Sequence, residues 1–312
     1  MYSARSHFSI KCERNHKGSQ LTKPPSATES WRHWPLERLE REYSPSSCVR
    51  SITPFLESYV ARSQLIAKTV PHRANQKWGD GANEVFDFFP AASPNAPLLV
   101  FFHGGYWQEH SKNDVLFVAS DCVPNGIAYA AVEYTLAPHL TVGGIVEQCR
   151  QALQAIASRS GDLGFDARRL FVAGSSAGAH LAAMMFLNVG QPAAAPIAGA
   201  ILLSGIYDLA PLVPTYINQA LRLMEGETTQ LSPLYQQLGR PVPVIVAWGE
   251  NETAEFKRQS QDFALKLKGA KFPVTELEVP GANHFDIVFE IVDRTSRLGQ
   301  LALALIEGQG SK

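Results

Sequence analysis

Three side chains far apart in the chain have the types needed to break an acyl bond: Ser176, Glu252 and His284. A serine hydroxyl attacks a carbonyl only when a neighbouring base takes its proton. Histidine does this near neutral pH, and a carboxylate fixes its tautomer. Ser176 lies in Gly174-Ser175-Ser176-Ala177-Gly178, after the apolar run Arg169-Leu170-Phe171-Val172-Ala173 and before a helix-prone stretch. A G-x-S-x-G between strand and helix makes a nucleophile elbow: the sharp turn exposes the hydroxyl, and the glycines let strand and helix approach closely.

The other pieces follow the ends of further apolar runs. After Phe102 comes His103-Gly104-Gly105-Tyr106-Trp107. Its glycines leave backbone N–H groups free to face a developing oxyanion. Gly105 and Tyr106 are the expected donors there, with Ala177 as the third and Gly104 shaping the turn. His103 reads as a brace for this loop. Trp107 and Tyr106 either stack on an aromatic substrate or pack. After Trp248 comes Gly249-Glu250-Asn251-Glu252, where Glu252 is the expected acid and Glu250 its competitor. After the last strand comes Pro280-Gly281-Ala282-Asn283-His284-Phe285-Asp286, with His284 as base and Asp286 as a cap for the helix that follows. The order Ser…Glu…His is that of α/β-hydrolases and differs from both unrelated serine-protease folds.

These residues need a scaffold. The predicted strands are Glu84–Phe89, Pro97–Phe102, Ala128–Tyr134, Leu170–Gly174, Ala198–Ser204, Val242–Trp248 and Val274–Val279. The predicted helices are Trp34–Arg41, Ile52–Ala67, Lys112–Val123, Ile145–Ser158, Ala177–Val189, Pro214–Leu223, Glu255–Leu267 and Asp286–Ile306. Continuous apolar runs such as Leu98-Leu99-Val100-Phe101-Phe102 imply burial on both faces. The expected fold is therefore α/β: an α/β-hydrolase with a mostly parallel central sheet covered by helices on both faces. Ligands in such sheets sit beyond the carboxyl ends of the strands.

The 312 residues are 45% hydrophobic, enough for one large core, and the net charge of −1 gives no footprint for a nucleic acid. No apolar run reaches the ~18 residues of a membrane span. Cys12, Cys48, Cys122 and Cys149 are widely spaced, fit neither a zinc site nor a disulfide framework, and point to the reducing cytoplasm. Residues 1–30 are basic and Ser-rich and read as an extension outside the domain, which occupies 31–312 with 31–70 as a helical cap. A transit peptide or a start codon placed too far upstream has the same composition. A small-molecule substrate is the expected partner, and a homodimer the default assembly.

The residues also resemble a family. The stretches Glu42-Tyr43-Ser44-Pro45-Ser46, His103-Gly104-Gly105-Tyr106-Trp107-Gln108, Gly174-Ser175-Ser176-Ala177-Gly178, Ser204-Gly205-Ile206-Tyr207-Asp208-Leu209, Glu255-Phe256-Lys257-Arg258-Gln259-Ser260 and His284-Phe285-Asp286 are similar to those of the arylformamidases (kynurenine formamidases). These are hormone-sensitive-lipase-like α/β-hydrolases, and the similarity runs from about residue 40 to the end. The resemblance implies hydrolysis of N-formyl-L-kynurenine to L-kynurenine and formate, with nucleophile Ser176, base His284, acid Glu252, and no metal or organic cofactor. The family usually has Asp where this chain has Glu252, so a carboxylesterase or an amide or carbamate hydrolase is the alternative. The resemblance does not say which residues hold the substrate's polar end; Tyr207, Asp208 and Asn218 lie near the right strand end or in the helical region after it and are the candidates. Asp208 either pairs with an ammonium or has a capping or structural role.

Overall fold

The computed structural model describes residues 31–187 and 195–308. The extension expected over 1–30 lies outside them, as does Cys12. The chain divides into two compact units, 1–33 and 34–312. The described part of the first is one 3₁₀ turn, Trp31–His33, with the Arg32 guanidinium 4.5 Å above the Trp31 ring.

In the second unit the described residues form an eight-stranded sheet. Its strands are β1 (Arg73–Lys77), β2 (Val85–Phe89), β3 (Ala96–Phe102), β4 (Ala128–Val132), β5 (Phe165–Ser175), β6 (Ile197–Leu203), β7 (Val244–Asn251) and β8 (Val274–Asn283), in the order β1-β2-β4-β3-β5-β6-β7-β8. β1 with β2 and β2 with β4 are antiparallel; every other pair is parallel. The helices are α1 (Leu36–Glu42), α2 (Thr53–Thr69), α3 (Ala119–Cys122), α4 (Val142–Ser158), α5 (Ser160–Leu163), α6 (Ala177–Phe186), α7 (Asn218–Leu221), α8 (Glu225–Leu231), α9 (Ala254–Gly269) and α10 (Arg297–Glu307).

Successive strand residues point to opposite faces. Leu99, Phe101, Tyr129, Phe171, Ile201 and Ile245 form one core with α3, α10 and the inner side of α2. The alternate set, Leu98, Val100, Phe102, Val172, Leu202 and Val246, is equally buried. There α6 packs on β3, β5 and β6, and α9 on β7. Burying each such side chain stabilises the fold by about 1.5–3 kcal/mol, in keeping with the apolar runs Leu98–Phe102 in β3 and Leu170–Ala173 in β5.

All seven predicted strands form. The eighth, β1, has the sequence Arg-Ala-Asn-Gln-Lys and lies exposed on the antiparallel edge, so it lacks the apolar signal. The helix expected over Lys112–Val123 is instead two 3₁₀ turns followed by α3. Within Pro214–Leu223 only Asn218–Leu221 is α-helical, and residues 188–189 of the Ala177–Val189 expectation lie outside the described residues. The single helix expected over Asp286–Ile306 is broken. The Asp293 carboxylate turns inward to accept from the Thr295 N–H at 2.8 Å, and Ser296 caps α10 through the Gly299 N–H at 2.9 Å.

One buried charge pair anchors the antiparallel edge. Lys112 Nζ lies 2.9 Å from Asp87 Oδ1, both side chains almost wholly buried, and the Asn75 N–H donates to the same oxygen at 2.7 Å. Removing only the cation strands the carboxylate in low dielectric. Lys112→Met should therefore lower the unfolding free energy by about 3–5 kcal/mol, measured by urea titration.

Candidate active site

At the elbow β5 ends at Ser175 and α6 begins at Ala177. Ser176 has φ 59° and ψ −121°, a left-handed conformation costing about 1–3 kcal/mol in a non-glycine residue. Three backbone hydrogen bonds hold it there. Its N–H donates to Leu203 O at 2.8 Å, and its carbonyl accepts from Ala179 and His180. The flanking glycines are steric necessities. A Cβ on Gly174 would lie 2.2 Å from Gly178 O, and one on Gly178 would lie 2.0 Å from Phe102 O.

The loop after β3 lies against this elbow: a Cβ on Gly104 would sit 2.9 Å from Ser175 O. Gly105, Tyr106 and Trp107 all have positive φ, and Gly105 O accepts from the N–H of Gln108 and of Glu109. Among the described residues, no acceptor takes the N–H of Gly104, Gly105, Tyr106 or Ala177. His103 braces the loop as expected. It is wholly buried, its Nδ1 is 2.8 Å from Gly104 O, its ring stacks on Tyr134, and its Nε2 faces Glu133 at 3.4 Å.

β7 and β8 bring the remaining two groups together. Glu252 Oε2 is 2.9 Å from His284 Nδ1. A carboxylate can only accept, so Nδ1 carries the proton and Nε2 keeps a free lone pair. The other oxygen of Glu252 accepts from Ser204 Oγ at 2.5 Å and from the Gly249 N–H at 2.6 Å. The imidazole packs on Phe256 at 4.5 Å. The competitor Glu250 is exposed and accepts from the Gly281 N–H instead. Asp286 stands at the N-cap of the 3₁₀ turn Ile287–Glu290, but its side chain makes no capping bond. Its carboxylate accepts from the Asn283 N–H and Nδ2, both at 2.6 Å, and so fixes the turn that presents His284.

Ser176 and His284 line one cavity of about 490 Å³, within the usual range for small-molecule sites. Its walls include Tyr59, Phe101, Tyr106 and Phe285, with Pro45, Ile52 and Leu56 from the segment before and within α2. His110 also faces it. Burial lowers that imidazole's pKa despite Asp114, so the ring is neutral near pH 7.

Three expected substrate contacts lie elsewhere. Trp107 is fully buried, edge-on to His180. Tyr207 is fully buried and stacked on Phe263 at 4.3 Å. Asp208 accepts from the Ala210 N–H and from Tyr235 Oη, which supports its structural reading over an ammonium contact. Asn218 is likewise structural, bonding the main chain of Val213 and Leu223. None of the four lines the cavity.

The pattern for the alpha/beta hydrolase fold matches residues 99–287. The kynurenine formamidase of Salmo salar is 32% identical over 295 residues, spanning 88% of this chain and 98% of its own. That of Danio rerio is 31% identical with the same coverage. This chain belongs to the kynurenine formamidase family. Among solved structures, a candidate thioesterase from Silicibacter sp. tm1040 is similar at TM-score 0.77 and 25% identity, over 86% of this chain and 98% of that one.

Placed in this family, the stretches that carry neither Ser176 nor His284 acquire physical roles. Ser204, seen in the sequence only as part of a family-like stretch, donates to Glu252 and helps to orient it. Gln259 reaches from α9 to the loop after β6, its Oε1 accepting from the N–H of Tyr207 at 2.6 Å and of Asp208 at 2.7 Å. Arg258 grips Glu255 through two 2.8 Å bonds, and Glu255 accepts from Tyr43 Oη at 2.8 Å. Burial, reinforced by Glu255, holds the Tyr43 pKa well above that of an ordinary phenol, so it remains a neutral donor.

If Glu252 orients His284, Glu252→Gln should lower kcat by about 10³–10⁴-fold, because an amide also satisfies the wrong tautomer. Ser204→Ala leaves the carboxylate charged but looser, and should cost roughly tenfold by losing one hydrogen bond of about 1.5 kcal/mol. Steady-state kinetics on both variants checks the order of the two effects.

Proposed function

We propose that this chain hydrolyses N-formyl-L-kynurenine to L-kynurenine and formate, with Ser176 as nucleophile, His284 as general base and acid, and Glu252 as the group that orients it. His284 Nε2 takes the Ser176 proton as Oγ attacks the formyl carbon. The N–H groups of Gly105, Tyr106 and Ala177 hold the oxyanion, aided by the positive end of α6. Collapse breaks the C–N bond, and His284 protonates the departing aryl amine. Water, deprotonated by the same imidazole, then attacks the formyl ester and releases formate and Ser176.

The observation that carries this reading is the bond of Glu252 to His284, an imidazole that lines the same cavity as Ser176, in a chain matching formamidases over nearly their whole length. The aromatic walls suit an aryl ketone, and residues 44–59 serve as its cover. A second reading, an esterase with another small acyl substrate, draws on Glu252 standing where the family usually has Asp. It also draws on the 25% identity to the esterase LipQ of Mycobacterium tuberculosis over 72% of this chain and 61% of that one. The free thiols Cys48, Cys122 and Cys149 support a reducing, cytoplasmic compartment. A homodimer, the commonest oligomer, is its proposed assembly.

Purified protein is assayed on N-formylkynurenine and on p-nitrophenyl acetate, with Ser176→Ala alongside. Strong deformylation that Ser176→Ala reduces by at least about 10³-fold is the expected result. Ester turnover without deformylation selects the second reading. Undiminished turnover in Ser176→Ala overturns both.

A further inference from the structure

The loop after β3 and the imidazole after β8 belong to strands that are not neighbours in the sheet. No sheet hydrogen bond sets the distance between them. One residue ahead of α2 touches both sides. The main-chain carbonyl of Tyr43 accepts from Tyr106 Oη, in the loop after β3. Its hydroxyl donates to Glu255 Oε2 and accepts from Gln259 Nε2 at 2.6 Å, both on α9, which begins two residues beyond Glu252. Its ring lies 6.2 Å from that of Phe256, which in turn packs on His284. One residue earlier, Glu42 O accepts from Thr253 Oγ1 at 2.6 Å, beside Glu252. Tyr43 is buried, and Ser44, Pro45 and Ser46 continue into the cavity wall.

We propose that Tyr43 is a positioning residue that ties the Tyr106 loop to the Glu252–His284 pair, holding oxyanion donors and base at the separation the tetrahedral intermediate needs. The inference rests on the site assignment above and adds a requirement to it: the segment before α2 is part of the catalytic geometry as well as of the cavity wall. A tether of this kind acts on the chemical step. It makes no substrate contact through its phenol, so substrate binding should change little while turnover falls.

The test uses the full chain, Tyr43→Phe, Tyr106→Phe and Ser176→Ala. Tyr43→Phe keeps the ring on Phe256 and removes both hydroxyl bonds to α9; Tyr106→Phe removes the bond to the Tyr43 carbonyl. Wild type, Tyr43→Phe and Tyr106→Phe are titrated with a fluorophosphonate so that their rates are expressed per reactive serine, Ser176→Ala is measured per mole of protein, and all are assayed with p-nitrophenyl acetate and N-formylkynurenine. In Tyr43→Phe, kcat per labelled serine should fall roughly 10- to 100-fold, the scale of a misplacement near 1 Å, with KM within about twofold of wild type. Tyr106→Phe should show the same split, and it carries the test if Tyr43→Phe does not fold. A residue with only a structural role would reduce the labelled fraction and leave kcat per labelled serine unchanged. That result in the folded variants overturns the inference alone, whereas full turnover in Ser176→Ala overturns the site assignment beneath it.

Discussion

The hydrogen bond from His284 Nδ1 to Glu252 is the contact around which the site is arranged. A carboxylate buried beside an imidazole is costly unless its remaining lone pairs are satisfied. Here the fold supplies both remaining donors from the ends of two strands: the Gly249 N–H where β7 runs out, and the Ser204 hydroxyl just past β6. Parallel pairing in the order β5-β6-β7-β8 brings Ser176, Ser204, Glu252 and His284 to the carboxyl ends of successive strands in that sequence. The register of four strands is therefore what sets the site, and a slip at any of them would dissolve it.

The strain at Ser176 belongs to the same design. A left-handed serine persists only where its surroundings over-determine it. Its N–H is pinned to β6 through Leu203 O, and its carbonyl starts α6. There is no room for a Cβ on Gly174 against Gly178 of α6, or on Gly178 against Phe102 at the end of β3, so strand, turn and helix are closely seated. The elbow draws on the buried strands on either side, so core stability and the exposure of one hydroxyl are not separable.

The sheet was largely legible in the sequence because burial on both faces leaves continuous apolar runs in its middle strands, such as Leu98–Phe102 in β3 and Leu170–Ala173 in β5. Where one side meets water, the signal fades: β1 is polar and exposed. The C-terminal helix misled because Asp293, Thr295 and Ser296 satisfy one another locally, which periodicity does not register. In the candidate site, Ser176, Glu252 and His284 stand out by type and order. Residues that hold substrate do not. Trp107, Tyr207 and Asp208 have suitable chemistry and follow the right strands, yet they face inward, and only packing decides which way a side chain turns. Ser204, Tyr43 and Gln259 escaped for the same reason: an ordinary serine, tyrosine or glutamine acquires its role from partners 48, 212 or 51 residues away.

The glutamate at 252 can be understood from its surroundings. It is one methylene longer than the aspartate usual in the family, and it has one more rotor to order. The turn that carries it is held toward β8. Gly249 packs against Ala282 too closely for any side chain, Asn251 Nδ2 donates to Gly281 O at 2.9 Å, and Glu250 accepts from the Gly281 N–H. With the backbone fixed in this way, the added length spans the gap to Nδ1. The paired donors on Oε1 then fix the extra torsion that the length introduces. A shorter acid on the same turn would have to give up either those donors or the imidazole, so residue 252 and the turn from β7 into α9 act as one unit.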